Sequence, residues 1–136
     1  MPTKPKIMIV DDEPDNLDLL YRTFRRDFQV FRADVPINAL KILEQEGEMA
    51  VIISDQSMPE MTGTEFLMKI KEKFPHTMRI LLTGYSDDSL EEEGNQMNGA
   101  ELFKCITKPF DPQELKAIVQ QAAEIYQTAK ASNVTL

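Results

Sequence analysis

The chain predicts a single-domain α/β fold, doubly wound on a parallel sheet. Two observations carry that expectation. Short apolar runs of strand length alternate five times with stretches whose apolar residues recur at helical spacing, a (βα)5 order. The runs are also apolar at consecutive positions, as in Met49-Ala50-Val51-Ile52-Ile53, the mark of strands buried on both faces. Strands separated by helices run parallel, because each crossover returns the chain to the same end of the sheet.

The first strand is Lys6-Ile7-Met8-Ile9-Val10, and it ends on Asp11, Asp12 and Glu13. Pro14 suits the first turn of a helix, where a missing N–H does no harm. Leu17, Leu20, Tyr21 and Phe24 line its apolar side, while Arg22, Arg25 and Arg26 face away. Residues 28–31 read as a short second strand. Asp34 and Pro36 open a second helix with Ile37, Leu40 and Leu43 inside, and Gly47 closes it. The third strand ends on Asp55. That places a carboxylate at the strand edge where open α/β sheets bind ligands. Thr62-Gly63-Thr64-Glu65 is a capping box, and the helix behind it carries Phe66, Leu67, Ile70 and Phe74 on one side until Pro75 stops it. Arg79-Ile80-Leu81-Leu82 is the fourth strand, ending at Thr83-Gly84. Residues 86–97 predict a loosely anchored fourth helix containing Glu91, Glu92 and Glu93, broken near 94–99. Residues 101–106 make the fifth strand. Asp111 and Pro112 then start a final helix lined by Leu115, Ile118, Val119, Ala122, Ile125, Tyr126 and Ala129. Residues 1–130 are expected to form the domain, and 131–136 a frayed tail or the start of a linker.

Composition narrows the function classes. At 136 residues the chain has enough length for a proper core. No apolar run approaches the roughly 20 residues that span a membrane, and strand-like residues follow Lys4 and Lys6 too soon for a signal peptide. One cysteine cannot form an internal disulfide, which suits a cytoplasmic protein. A net charge of −8 argues against direct nucleic-acid binding. Cys105 reads as a small core residue, and His76 as an exposed, inert one.

The strand ends carry the chemistry. In a parallel sheet Asp11, Asp12, Asp55, Thr83 and Lys108 all reach one rim. Taken singly, the acids and Thr83 read as helix caps and Lys108 as a solvated lysine. Taken together, three carboxylates repel unless a cation or shared proton intervenes. Oxygen ligands with open positions favour Mg²⁺. A metal ion, an ammonium group and a hydroxyl suit a phosphoryl group carried on Asp55 as an acyl phosphate.

Val10-Asp11-Asp12-Glu13, Ser54-Asp55 with Met58-Pro59 and Gly63, Leu82-Thr83-Gly84, and Thr107-Lys108-Pro109-Phe110 resemble, in order and spacing, the motif set of the two-component response-regulator receiver domain, a CheY-like superfamily. The match spans roughly residues 5–127. The resemblance implies a flavodoxin-like sheet of strand order 2-1-3-4-5. It makes Asp55 the phosphoacceptor. Asp12, Asp55 and the backbone carbonyl of Ser57 would ligate Mg²⁺, with Mn²⁺ as the alternative ion and Asp11 close by through water. Thr83 and Lys108 would contact the phosphoryl oxygens, and the Lys108–Pro109 bond would be cis. The implied donor is a sensor histidine kinase or a histidine phosphotransfer protein. The implied output is a partner or downstream domain met through the face of the fourth helix, fifth strand and fifth helix. Tyr126 and Ala129 of the final helix run past what one sheet needs, so a homodimer contact there is a further alternative. Such a protein is not an enzyme acting on a separate substrate; it assists its own aspartyl phosphorylation and dephosphorylation. One position departs from the pattern. Cys105 stands where the family carries an aromatic residue, so transmission is expected to rest on Thr83, Tyr85 and the fourth helix, with Phe103 pointing to the same face.

Three other readings compete. The motif wording is similar to receivers placed ahead of cyclases, phosphodiesterases or kinases. A haloacid-type phosphatase would need a second Asp where Ser57 stands. A receiver-shaped module could also bind partners without phosphate.

Overall fold

The computed structural model describes residues 4–84 and 101–134. Its elements are β1 (Lys6–Val10), α1 (Pro14–Phe24), β2 (Gln29–Ala33), α2 (Pro36–Glu46), β3 (Val51–Asp55), α3 (Gly63–Lys73), β4 (Met78–Thr83), β5 (Lys104–Thr107) and α4 (Pro112–Val134). All strand pairs are parallel, and the order is β2-β1-β3-β4-β5. The expected helix over 86–97 and Tyr85 lie outside the described residues. No helix among the described residues is long and apolar enough to cross a membrane.

Alternation along the strands explains the two layers. Ile7 and Ile9 of β1, Val51 and Ile53 of β3, and Ile80 and Leu82 of β4 pack with Leu20, Phe24, Leu115, Val119 and Ala122 from α1 and α4. Their neighbours Met8, Val10, Ile52 and Leu81 pack on the other face with Ala39, Leu43, Phe66, Leu67 and Ile70 from α2 and α3. Successive side chains of a strand point to opposite faces, so a sheet covered on both sides needs the uninterrupted apolar runs seen here. Every residue of β3 is buried. Full burial of one such Ile or Leu side chain is worth about 1.5–3 kcal/mol.

Several local expectations shift. β2 runs over Gln29–Ala33 rather than 28–31; Phe28 precedes it, packed edge-on against Phe24 at 5.9 Å. Ile37, expected inside α2, is 57% exposed, and Ala39 takes the buried position instead. β5 begins at Lys104 rather than 101. As an edge strand it leaves Cys105 exposed rather than in the core, while Phe103 packs against the α1–α4 layer. His76 is half-buried near Glu48.

Two polar ties fasten the end of the sheet opposite Asp55. Arg79 is buried, and its guanidinium donates to the carbonyls of Thr77 at 2.8 Å and Glu101 at 3.2 Å, which holds the returning chain in place for β5. The Tyr126 hydroxyl donates to Glu48 Oε1 at 2.6 Å, and Lys130 Nζ lies 3.0 Å from the same oxygen. Burial alone would raise the Glu48 pKa, but the Tyr126 hydrogen bond and the charges of Lys130 and His76 outweigh it and hold the carboxyl below its usual range. These contacts pin α4, which continues to Val134, past the boundary at Lys130 expected for the domain.

Candidate phosphoacceptor site

Register brings the strand ends together. Val10 pairs with Ser54, Asp55 with Leu82, and Thr83 with Thr107. Asp11, Asp55, Thr83 and Lys108 therefore meet on one rim, as the sequence predicts. Asp11, Asp12 and Asp55 each offer a carboxylate oxygen within 4.8 Å of the others. Asp11 and Asp55 are buried and Asp12 is exposed, which leaves the cluster open to solvent on one side.

Lys108 supplies the opposing charge. Its Nζ lies 2.6 Å from Asp55 Oδ1 and 3.7 Å from Asp11 Oδ2. The Lys108 backbone N–H donates to the Thr83 carbonyl at 2.7 Å, so the lysine loop is hung from the end of β4. The Lys108–Pro109 peptide bond is cis. Burial alone would lower the Lys108 pKa, but its hydrogen bond to Asp55 and the charges of Asp11, Asp55 and Glu13 outweigh it and hold the ammonium group charged. Thr83 is buried at the end of β4.

Asp11 has the opposite problem. Its Oδ1 accepts the Glu13 backbone N–H at 2.9 Å, but its Oδ2 is buried with no hydrogen-bond partner among the described residues. Burial pushes its pKa up, and the charges of Asp55 and Asp12 add to that against Lys108. A buried carboxylate oxygen without a donor, facing two further acids, fits a divalent cation that prefers oxygen ligands. Ser57 is exposed on the loop after β3, beside this cluster in sequence.

Two residues to which sequence reading gave no role at the site shape it. A Cβ on Gly63 would run into the backbone carbonyl of Asp55, so only glycine lets α3 start this close to the acceptor strand. Gln56 is fully buried. Its backbone N–H donates to the Leu82 carbonyl at 2.9 Å, and its own carbonyl accepts from Gly63 N–H at 3.0 Å. Its side-chain Oε1 accepts from the Thr64 N–H at 2.8 Å and the Thr64 hydroxyl at 2.7 Å. The available signal was a long polar residue directly behind a buried strand, followed by a helix start.

A doubly wound parallel sheet with an acidic trio, a threonine and a lysine on its carboxyl rim defines the class of aspartate-based phosphoryl switches. A family model for the response regulator receiver domain matches residues 7–120. The hydrogenase transcriptional regulatory protein HoxA of Bradyrhizobium diazoefficiens is 36% identical over 124 residues, 91% of this chain and 25% of that protein. The signal receiver domain of an HD domain-containing protein from Pseudomonas fluorescens Pf-5 superposes with a TM-score of 0.86 at 30% identity, covering 96% of this chain and 95% of that one. A response regulator receiver domain protein from Clostridium thermocellum gives a TM-score of 0.81 at 28% identity, covering 92% and 98%. The chain belongs to the response regulator receiver domain family. It spans a quarter of the length of HoxA.

Proposed function

We propose that this receiver domain accepts a phosphoryl group on Asp55 from a phosphohistidine of a sensor kinase or histidine phosphotransfer protein, and that the phosphorylated form changes its binding to a partner or output domain. The observation that carries this reading is the 2.6 Å contact between Lys108 and Asp55 inside a cluster of three acids. An ion pair of this kind places an ammonium group beside the acceptor oxygen, where the transferred oxygens will arrive. A carboxylate oxygen of Asp55 attacks phosphorus, the P–N bond to the donor imidazole breaks, and the imidazole leaves with the bonding pair and takes a proton. Lys108 then faces the new phosphoryl oxygens, and the Thr83 hydroxyl donates to one of them. Fixed donors of this type stabilise the charge spread over the transferring oxygens.

Asp12, Asp55 and the Ser57 carbonyl would hold Mg²⁺, or Mn²⁺, with Asp11 beside it. The ion would supply positive charge to the transferring group and offset the repulsion among the acids. The same groups serve hydrolysis of the acyl phosphate, so the domain limits its own signal lifetime. We place the switching domain in residues 1–130, in the cytoplasm, with the end of the last helix that runs on to Val134 as the start of a linker. The coverage of HoxA supports a position within a longer regulator.

The test is incubation with Mg²⁺ and acetyl phosphate followed by intact mass measurement. One added phosphate is expected, and Asp55→Asn should abolish it. Labelling that persists in the Asn variant would overturn the assignment.

A further inference from the structure

We propose that Gln56 is a positioning residue for the divalent-ion site, acting through the Ser57 carbonyl; this rests on the metal reading above. Gln56 is the residue between the acceptor Asp55 and Ser57. Its carbonyl is fixed on Gly63 N–H, and its N–H on the Leu82 carbonyl. A peptide unit is planar, so fixing the Gln56 carbonyl also fixes the Ser57 nitrogen. Only the two backbone torsions of Ser57 then separate that anchor from the Ser57 carbonyl.

The side chain completes the clamp. A backbone N–H can only donate, so the amide oxygen of Gln56 must face Thr64, where it takes both the N–H and the hydroxyl. The first helical N–H groups of α3 are thus divided between two sources. Gln56 satisfies Gly63 and Thr64, whereas Thr62 satisfies Glu65 from within the helix start. A local cap needs no residue eight positions earlier. The long-range bonds tie α3 to the acceptor strand and hold the intervening loop in one geometry. Outer groups that orient a ligand typically change metal affinity by about 10–100-fold when removed.

Calorimetric Mg²⁺ titration of the full chain tests this. Gln56→Met keeps the length and burial but offers Thr64 N–H only a weak thioether acceptor in place of the amide oxygen. It should weaken Mg²⁺ binding by about tenfold, the lower end of that range. Thr64→Val keeps the N–H bond and loses the hydroxyl, so a smaller loss is expected. Thr62→Ala removes the local cap alone; it should lower the melting temperature and leave Mg²⁺ affinity within about twofold, since the capping effect is confined to the helix. Wild-type affinity in a folded Gln56→Met variant overturns the proposal. So does a loss in Thr62→Ala matching that in Gln56→Met, which would make helix stability the cause. If Gln56→Met does not fold, Thr64→Val decides, and unchanged affinity there overturns the proposal. A wild-type chain that takes up no Mg²⁺ instead removes the metal reading itself.

Discussion

Replacing Gly63 by alanine sets two effects of opposite sign against each other. On helix propensity alone, Gly→Ala inside a helix stabilises by about 0.8–1 kcal/mol. Against that, the new methyl would run into the Asp55 carbonyl and lie 2.9 Å from Leu81 Cδ1. The obstructing carbonyl is backbone of a fully buried strand, so it cannot swing aside as a flexible side chain would. Forcing a methyl into packed structure costs about 1–3 kcal/mol. Moving Gly63 away also stretches its 3.0 Å bond to Gln56, worth about 0.5–1.5 kcal/mol. The clash should win, with a net loss of about 2 kcal/mol once the propensity gain is subtracted. At roughly 4 °C per kcal/mol for a domain of this size, the melting temperature should fall by about 8 °C. Urea unfolding followed by circular dichroism should show a lower midpoint with an unchanged slope. A variant as stable as wild type, or more stable, would refute the close approach of α3 to the acceptor strand.

Mg²⁺ should stabilise the folded protein by about 2.7 kcal/mol at a hundred times its dissociation constant, and EDTA should reverse the shift in thermal melting. Asp12→Asn should remove most of that gain. Tyr126→Phe should cost about 1.5–3 kcal/mol in denaturant unfolding, the usual worth of a hydrogen bond to a charged group. The same change alters the acid limb. Glu48 has a folded pKa below its unfolded value, so its stabilisation is present above about pH 4.5 and is lost as pH falls through the folded pKa. A wild-type minus Tyr126→Phe stability difference that does not shrink on acidification would contradict this. Glu60 has φ of 71°, a left-handed conformation; Glu60→Gly should therefore stabilise by up to about 1 kcal/mol, read as a raised urea midpoint.

The parts legible in the sequence are those with two independent signals. β3 was visible because buried apolar residues ran straight into Asp55, and α3 because Thr62 and Glu65 form a box that the structure contains on both sides. The rim was legible because parallel order alone sends Asp11, Asp55, Thr83 and Lys108 to one side. Ile37 and Cys105 were misjudged for a common reason. Residue type reports what can be buried, whereas position at the start of α2 or on an edge strand decides what is. Gln56 escaped because its partners, Gly63, Thr64 and Leu82, meet it only after the sheet has formed.

The bond between Tyr126 and Glu48 divides the last helix into a seated length and an overhang. At about 1.5 Å per residue, roughly 21 Å from Pro112 to Tyr126 is bedded on the sheet through Leu115, Val119 and Ala122, and about 12 Å runs on past the bond to Val134. Lys130 ties the first turn of that overhang to the same carboxylate. One continuous helix therefore links the loop after Lys108 to the far edge of the molecule.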